Sequence, residues 1–432
     1  MTLLRSLLLG VVLSIAAVAA LQPVYFAAMA NLDHVISPDA MRQHYRDAFR
    51  TGVLSDELHP SNHLFTSGDR FTDCIALSVG LQPGISALTA GILAPVPTSD
   101  RHPCEELRSI ADGEASALHW GQYLRYWHGY RLYYAPLVSL LPLYAGRLVN
   151  LVLLLAAFAA FFRQSTRLIG MAPAIGLAAP VPFLTDFAHV WQVTPHATGV
   201  IFILGGSACF ISAIQRRWPD YALMALAAVL GSVFNFIDFL VNPPWMPMLL
   251  AFFVVAGRRS ETRGPATIAI LVALAWFGGY AMTWFSKWLI AWFVSTEVDV
   301  VTNVSAMVLF RLDGDNPKVI HWPLVPTIKV AAAAIIGWGL PLFIAFLVVV
   351  FRNIRQARFR WQAFWPLAWP ALIPPLWFEI LSNHSQIHAG VSSRSEAAAF
   401  GVVLAAALLA ADVKTMSFSW PSLRRQKSLA GH

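Results

Sequence analysis

The chain has 432 residues, of which 57% belong to the set AVILMFWYC and only 12% are Asp, Glu, Lys or Arg, about half the charge fraction of a soluble domain. That composition excludes a soluble enzyme, a disordered polypeptide and a disulfide-stapled miniprotein. The formal charge of +7 invites a nucleic-acid reading, which the positions of the charges remove.

Arg5; Arg163 and Arg167; Arg216 and Arg217; Arg258, Arg259 and Arg263; Arg352, Arg355, Arg358 and Arg360; and Lys414, Arg424, Arg425 and Lys427 make up 16 of the 30 basic residues. Their only acidic company is Asp220, Glu261 and Asp412, so these segments carry +13 and the rest of the chain −6. Basic tracts between apolar runs of bilayer length mark the cytoplasmic side. Membrane lipids are therefore the expected surroundings, and no nucleic acid is an expected partner. The expected fold is an all-α polytopic membrane protein with about ten transmembrane helices and both termini cytoplasmic. It forms one transmembrane domain over 1–432, with an extracytoplasmic loop at 30–130, a second insertion at 287–330 and a basic cytoplasmic tail at 412–432.

The first crossing, 6–29, is too long for a typical signal-peptide core despite the small residues near Ala19-Ala20, which favours a retained helix. Asp33 lies just beyond it. In the loop that follows, His59 and His63 stand four apart around Pro60. Asp69 and Asp73 also stand four apart, a spacing that puts both carboxylates on one helix face, as a base and its partner require; alternatively Asp69 simply caps a helix. Phe71 to Leu81 and Ile85 to Val96 read as short helices lying against the membrane. Cys74 and Cys104 share a compartment that would permit a disulfide, whereas Cys209 lies in a helix. The run Tyr126-Trp127-His128-Gly129-Tyr130-Arg131 either stacks on a sugar and holds a phosphate or belongs to an aromatic belt.

The other crossings are expected at 136–162, 168–184, 197–215, 221–237, 239–256, 265–286, 331–351, 361–379 and 397–411. Two crossings within 221–256 require a turn near 237–239, with Asn235 and Asp238 at the outer face. A hairpin at Asn242-Pro243-Pro244, with Asp238 buried among helices, is the alternative. The short outer turns carry Asp186, His189, Trp191 and His196, then Lys287, then Asn383, His384, His388 and Arg394. Ionisable groups at such depths must pair or line a wet cavity, so their convergence on one side points to a polar site there. An interface merely dressed with His and aromatics is the bland alternative. His384 and His388 have the spacing of a helical metal site but lack the Glu of HExxH, and read better as phosphate contacts. No cofactor is indicated, and a divalent metal stays open. No Walker loop, dinucleotide fingerprint or GxSxG occurs.

One N-terminal crossing, a large acidic first outer loop with membrane-lying helices, many further crossings and a second outer insertion resemble the GT-C class of membrane glycosyltransferases. The resemblance implies transfer of a sugar from a polyprenyl-phosphate-linked donor to a glycan, lipid or protein acceptor, outside the bacterial cytoplasmic membrane. It implies an Asp base, here Asp73 or Asp69, otherwise Asp33. The Asp-Asp or Asp-x-Asp pair of that class is absent after the first crossing, where Asn31-Leu32-Asp33 stands. Lys287, at expected headgroup depth, with Arg394, His384 and His388 would stabilise the leaving phosphate. Trp127, His128, Arg131, Asp186, His196, Asn235 and Asp238 are the further substrate contacts. Two other classes stay open: a transporter or flippase of a lipid-linked saccharide, which should show broken helices in paired halves, and a membrane acyl- or phosphotransferase with His128, His196 or His384 as base.

Overall fold

A computed structural model describes residues 3–55, 69–259, 264–295, 299–314, 316–335 and 339–413. His59, His63, Arg263 and the tail from Lys414 lie outside the described residues. The apolar run around Arg5 forms one helix, α1 (Leu3–Ala30). The described residues between 31 and 130 then fold into short elements: α2 (Pro38–Arg50), α3 (Arg70–Ser78), α4 (Ala87–Ile92) and α5 (Pro103–Asp112). Strands β1 (Pro95–Pro97) and β2 (Trp120–Gln122) pair antiparallel, a small departure from an all-α reading. Cys74 and Cys104 are bonded, tying α3 to α5. Around that bridge Met41, Tyr45, Leu77, Leu107 and Ile110 form a second core, separate from the helix bundle.

Next come α6 (Arg131–Leu140) and α7 (Leu143–Ile169). The expected crossing at 136–162 is displaced because Pro142 has no N–H to continue α6 and forces Leu141 into extended backbone. α8 (Met171–Ala178) and α9 (Pro180–Leu184) together extend only about 21 Å at 1.5 Å per residue, short of a bilayer core. α10 (Thr194–Gln215), α11 (Asp220–Ile237), α12 (Trp245–Gly257) and α13 (Pro265–Val294) follow. α13 runs unbroken past residue 286, so Lys287, Trp288 and Trp292 extend the same helix. The last part comprises α14 (Val300–Asp313), α15 (Val325–Ile335), α16 (Leu340–Arg355), α17 (Trp361–Ala368), α18 (Ile373–Ile380), α19 (Ser382–Ile387) and α20 (Ala389–Ala410).

Among the described residues, six helices are long and apolar enough to cross a membrane: α1, α7, α10, α11, α13 and α20. The chain is a multi-pass integral membrane protein. α15 and α16 lie at 96° to each other where one crossing at 331–351 was expected. α12 has 13 residues, all from Trp245 to Ala256 buried, as befits a helix apolar on every side; it is the centre of the bundle and not a lipid-facing span. α11 ends at Ile237 as expected, yet Asp238 is only 2% exposed. The break at 238–244 enters the protein, where non-helical backbone is tolerated at membrane depth.

The helices pack backbone to backbone where glycine permits. A Cβ on Gly231 of α11 would lie 2.1 Å from the Trp276 carbonyl oxygen, and one on Gly279 of α13 2.0 Å from that of Ala228, the close approach that small residues give membrane helices. At the basic end of the bundle Arg258 pairs with Asp220, and Gln215 of α10 donates to Gln164 of α7. The described residues between 31 and 130 gather at the opposite, loop end.

Candidate functional site

Asp69 and Asp73 both lie near the N-terminus of α10, with different partners. Asp69 caps α3: it accepts from the Thr72 N–H at 3.0 Å and the Thr72 hydroxyl at 2.6 Å. It stays part-exposed, with Oδ2 3.8 Å from His196 Nε2, beyond hydrogen-bond range. Asp73 is 1% exposed. Its Oδ2 receives Arg147 Nη2 at 2.7 Å and its Oδ1 the Thr194 N–H at 2.8 Å, so its charge neutralises Arg147 and complements the positive end of α10. With both oxygens engaged, Asp73 locks α3, α7 and α10 together, while Asp69 keeps a part-exposed carboxylate.

From Asp69 a row of polar groups crosses the loop end of the bundle. His196 Nδ1 lies 3.1 Å from Arg394 Nη2, which orients Nε2–H toward Asp69. Arg394, in the second turn of α20, grips Asp186 through Nε at 2.7 Å and Nη2 at 2.6 Å, the fork geometry suited to a carboxylate. Burial raises the Asp186 carboxyl, but the Arg394 charge and hydrogen bonds outweigh it and hold it below the usual carboxylate range. His388 lies between the charges of Asp69 and Arg311; burial first, and then Arg311, push it down to about 4. Its ring is 4.8 Å from that of His384. His384 gives Nε2–H to the Leu240 carbonyl at 2.9 Å and takes Arg311 Nη1 on Nδ1 at 2.5 Å. These partners fix the neutral tautomer, and burial with Arg311 holds it well below 6.5.

A second set of sequence-predicted residues does not join the row. Lys287 is fully buried: its Nζ donates to the Ile92 carbonyl and lies 5.1 Å above the Trp127 ring. Arg131 donates to the Ala90 carbonyl at 2.9 Å. Both cations thus satisfy the last carbonyls of α4, a common use of Lys and Arg at helix C-termini, so the headgroup-depth role expected of Lys287 gives way to a structural one. Trp127 is buried with its N–H on the Thr283 carbonyl, and cannot offer its face to a sugar. His128 is buried at φ +56°, its Nε2 3.0 Å from the Tyr123 carbonyl, and burial lowers its pKa well below 6.5. Asp33 is half-buried and faces Arg131; burial raises its pKa more than Arg131 and His34 lower it. Asn235 is buried against Tyr280. Asp238 closes an Asx turn on the Val241 N–H, and burial pushes its carboxyl up to about 7.

Two cavities flank the row. One, of about 440 Å³, lies at the α3 end and is lined by Arg70, Asp73, Tyr144, Arg147, Trp191 and Gln192 among others. The other, of about 120 Å³, adjoins the His384 end between α13 and α14. Its walls are Tyr126, Trp284, Trp288, Met307, Val308 and Leu381, with Arg125 and Arg311 beside them. Neither arginine has a carboxylate partner among the described residues, and the Nε of each is buried without one. Sequence reasoning passed over both. Arg125 lies in Tyr123-Leu124-Arg125-Tyr126, and Arg311 interrupts the apolar run of α14; an arginine set among apolar and aromatic residues was the available signal. Among the described residues no group of three or more His, Cys, Asp or Glu is arranged to hold a metal.

Comparison with protein-family models, curated proteins and solved structures finds no match. The functional reading therefore rests on the chain's own residues.

Proposed function

We propose that the protein transfers a sugar from a lipid-phosphate donor to an acceptor hydroxyl at the loop end of the bundle, with Asp69 as general base. The observation that carries this is one polar row with a part-exposed carboxylate at one end, arginines without a carboxylate partner among the described residues at the other, and a cavity near each end. Two cavities sharing one set of reactive groups suit a reaction between two substrates. In the proposed step the acceptor oxygen attacks the anomeric carbon as Asp69 takes its proton. The bond from that carbon to the phosphate oxygen breaks, and Arg311 and Arg394 balance the charge left on the phosphate. The 120 Å³ cavity has an apolar aromatic lining, which suits a lipid chain whose phosphate meets Arg125 and Arg311. A lipid donor also accounts for a chain without a nucleotide loop. The clustering of basic tracts at the other end supports a site outside the cytoplasmic membrane, and the ionisable row at one end of the bundle favours a transferase over a transporter.

The His-base reading has one specific support: His384 and His388 are neutral imidazoles beside a carboxylate and an arginine, the state a base needs. Under that reading His388→Gln removes transfer and Asp69→Asn only weakens it; the proposal above expects the reverse ranking. Mass analysis of host glycans with and without the protein tests the transferase class itself. The expected result is loss of one sugar increment from one glycan or glycolipid; an unchanged glycan profile overturns the proposal.

A further inference from the structure

We infer that the 440 Å³ cavity lined by Arg70 and Asp73 of α3 is the acceptor site and that its acceptor is a membrane-anchored glycan, a glycolipid; this rests on the transferase reading above. Position supplies the first argument. The cavity is lined by Arg70 and Asp73 of α3 and by Trp191, Gln192 and Val193, the residues that lead into α10. Its inner wall is thus built from the chain neighbours of Asp69 and of Thr194 and His196. A hydroxyl bound there lies beside α3, whose N-cap is the part-exposed Asp69 and whose Asp73 lines the cavity.

The lining supplies the second argument. Trp191 is part-exposed and Tyr144 is 54% exposed, so two rings present apolar faces, while Thr51, Gln192 and Arg147 bring hydrogen-bonding groups to the same space. Aromatic walls with a few polar groups are how a ligand of this size is held and oriented. The volume suits a sugar headgroup and is small for a folded segment of polypeptide.

The third argument decides the class of acceptor. Tyr144, Leu148 and Leu151 line the cavity from α7, a membrane-spanning helix. They stand four and three apart, on one helix face, and Leu155 continues that face away from the cavity. Leu148 is 37% and Leu155 54% exposed. The cavity therefore opens onto an apolar stripe about 16 Å long running down the lipid-facing flank of α7. A soluble sugar would leave that stripe without a counterpart; a headgroup in the cavity with its acyl chains along Leu148, Leu151 and Leu155 uses the whole surface.

The test places the photoreactive residue p-benzoylphenylalanine at position 148, lining the cavity, and separately at position 153, where Leu153 lies on the opposite side of α7 from the stripe at 39% exposure. The full-length protein is illuminated in host membranes and its adducts are weighed. The inference expects glycolipid adducts at 148 enriched several-fold over 153, and their reduction by Trp191→Ala. Phospholipid in the same proportions at both positions, or only peptide or free glycan at 148, overturns it. Position 144 serves in the same way if the 148 variant does not accumulate. Asp69→Asn separates the two claims. Asp69-dependent transfer with phospholipid alone at 148 removes the acceptor assignment and leaves the transferase reading standing. Glycolipid at 148 with transfer indifferent to Asp69 removes the proposed base and leaves the glycolipid-binding cavity standing.

Discussion

Asp69 and Asp73 are four residues apart on one short helix, and their partners divide their roles. Asp73 meets Arg147 and the Thr194 N–H with both oxygens; Asp69 meets Thr72 and keeps an accessible side toward His196. Removing the charge of Asp73 leaves Arg147 buried without its counter-ion, which for such pairs costs about 3–5 kcal/mol. Asp73→Asn should therefore lower the unfolding temperature in detergent and the amount of folded protein; a variant as stable as wild type would contradict a positioning role. The histidines give a pH prediction. Burial holds His388 at about 4, well under its unfolded value near 6.5, so between these values the unfolded chain binds protons that the folded chain does not. Stability is then full above about 6.5 and falls as pH drops toward 4. His388→Gln should reduce the loss of thermal stability between pH 7 and 4.5; an equal or larger loss would show that His388 does not contribute. Asp69 was legible as a carboxylate with a helix to cap. Nothing in the sequence distinguished Asp73 as the ion-paired one, because Arg147 lies 74 residues away.

The elements divide by what hydropathy can and cannot distinguish. α1, α10 and α11 fall close to their expected positions because a long apolar run between charges has few other solutions. α12 and the pair α8 and α9 are as apolar as any span, yet short, since burial in protein and exposure to lipid select the same side chains. The prolines at 142, 173 and 180 carried the missing information, marking where a helix must end or restart. Lys287 was misplaced for a related reason: sequence gives its depth along α13 but not its direction, and it turns inward to the end of α4. The contact of α11 with α13 gives a further test. A side chain at Gly279 meets the Ala228 backbone, whereas one at the adjacent Gly278 meets nothing within 4 Å. Gly279→Val should destabilise by about 1–3 kcal/mol or more and Gly278→Val hardly at all, read by thermal unfolding; equal effects would mean that α11 and α13 do not pack this closely.

For the whole molecule, the division of charge seen in the sequence corresponds to two ends of one bundle. Among the described residues, basic tracts lie at one end, where Arg258 meets Asp220, while Asp69, His196, Arg394, Asp186, His388, His384 and Arg311 gather at the other. Much of that row was legible as scarce ionisable groups in short turns. What could not be read was its membership: Lys287, Arg131 and His128 are just as scarce but serve packing, and Arg311 sits in a helix with no motif around it. The central claim is that this row is a transfer site whose base is Asp69. Asparagine caps a helix as well as aspartate does, so Asp69→Asn removes the base and little else. The decisive measurement is sugar transfer by the purified protein in nanodiscs supplied with isotope-labelled host lipid extract, comparing wild type with Asp69→Asn at matched folded protein. A loss of about a hundredfold or more with unfolding temperature unchanged is the expected result; transfer at the wild-type rate would contradict the account.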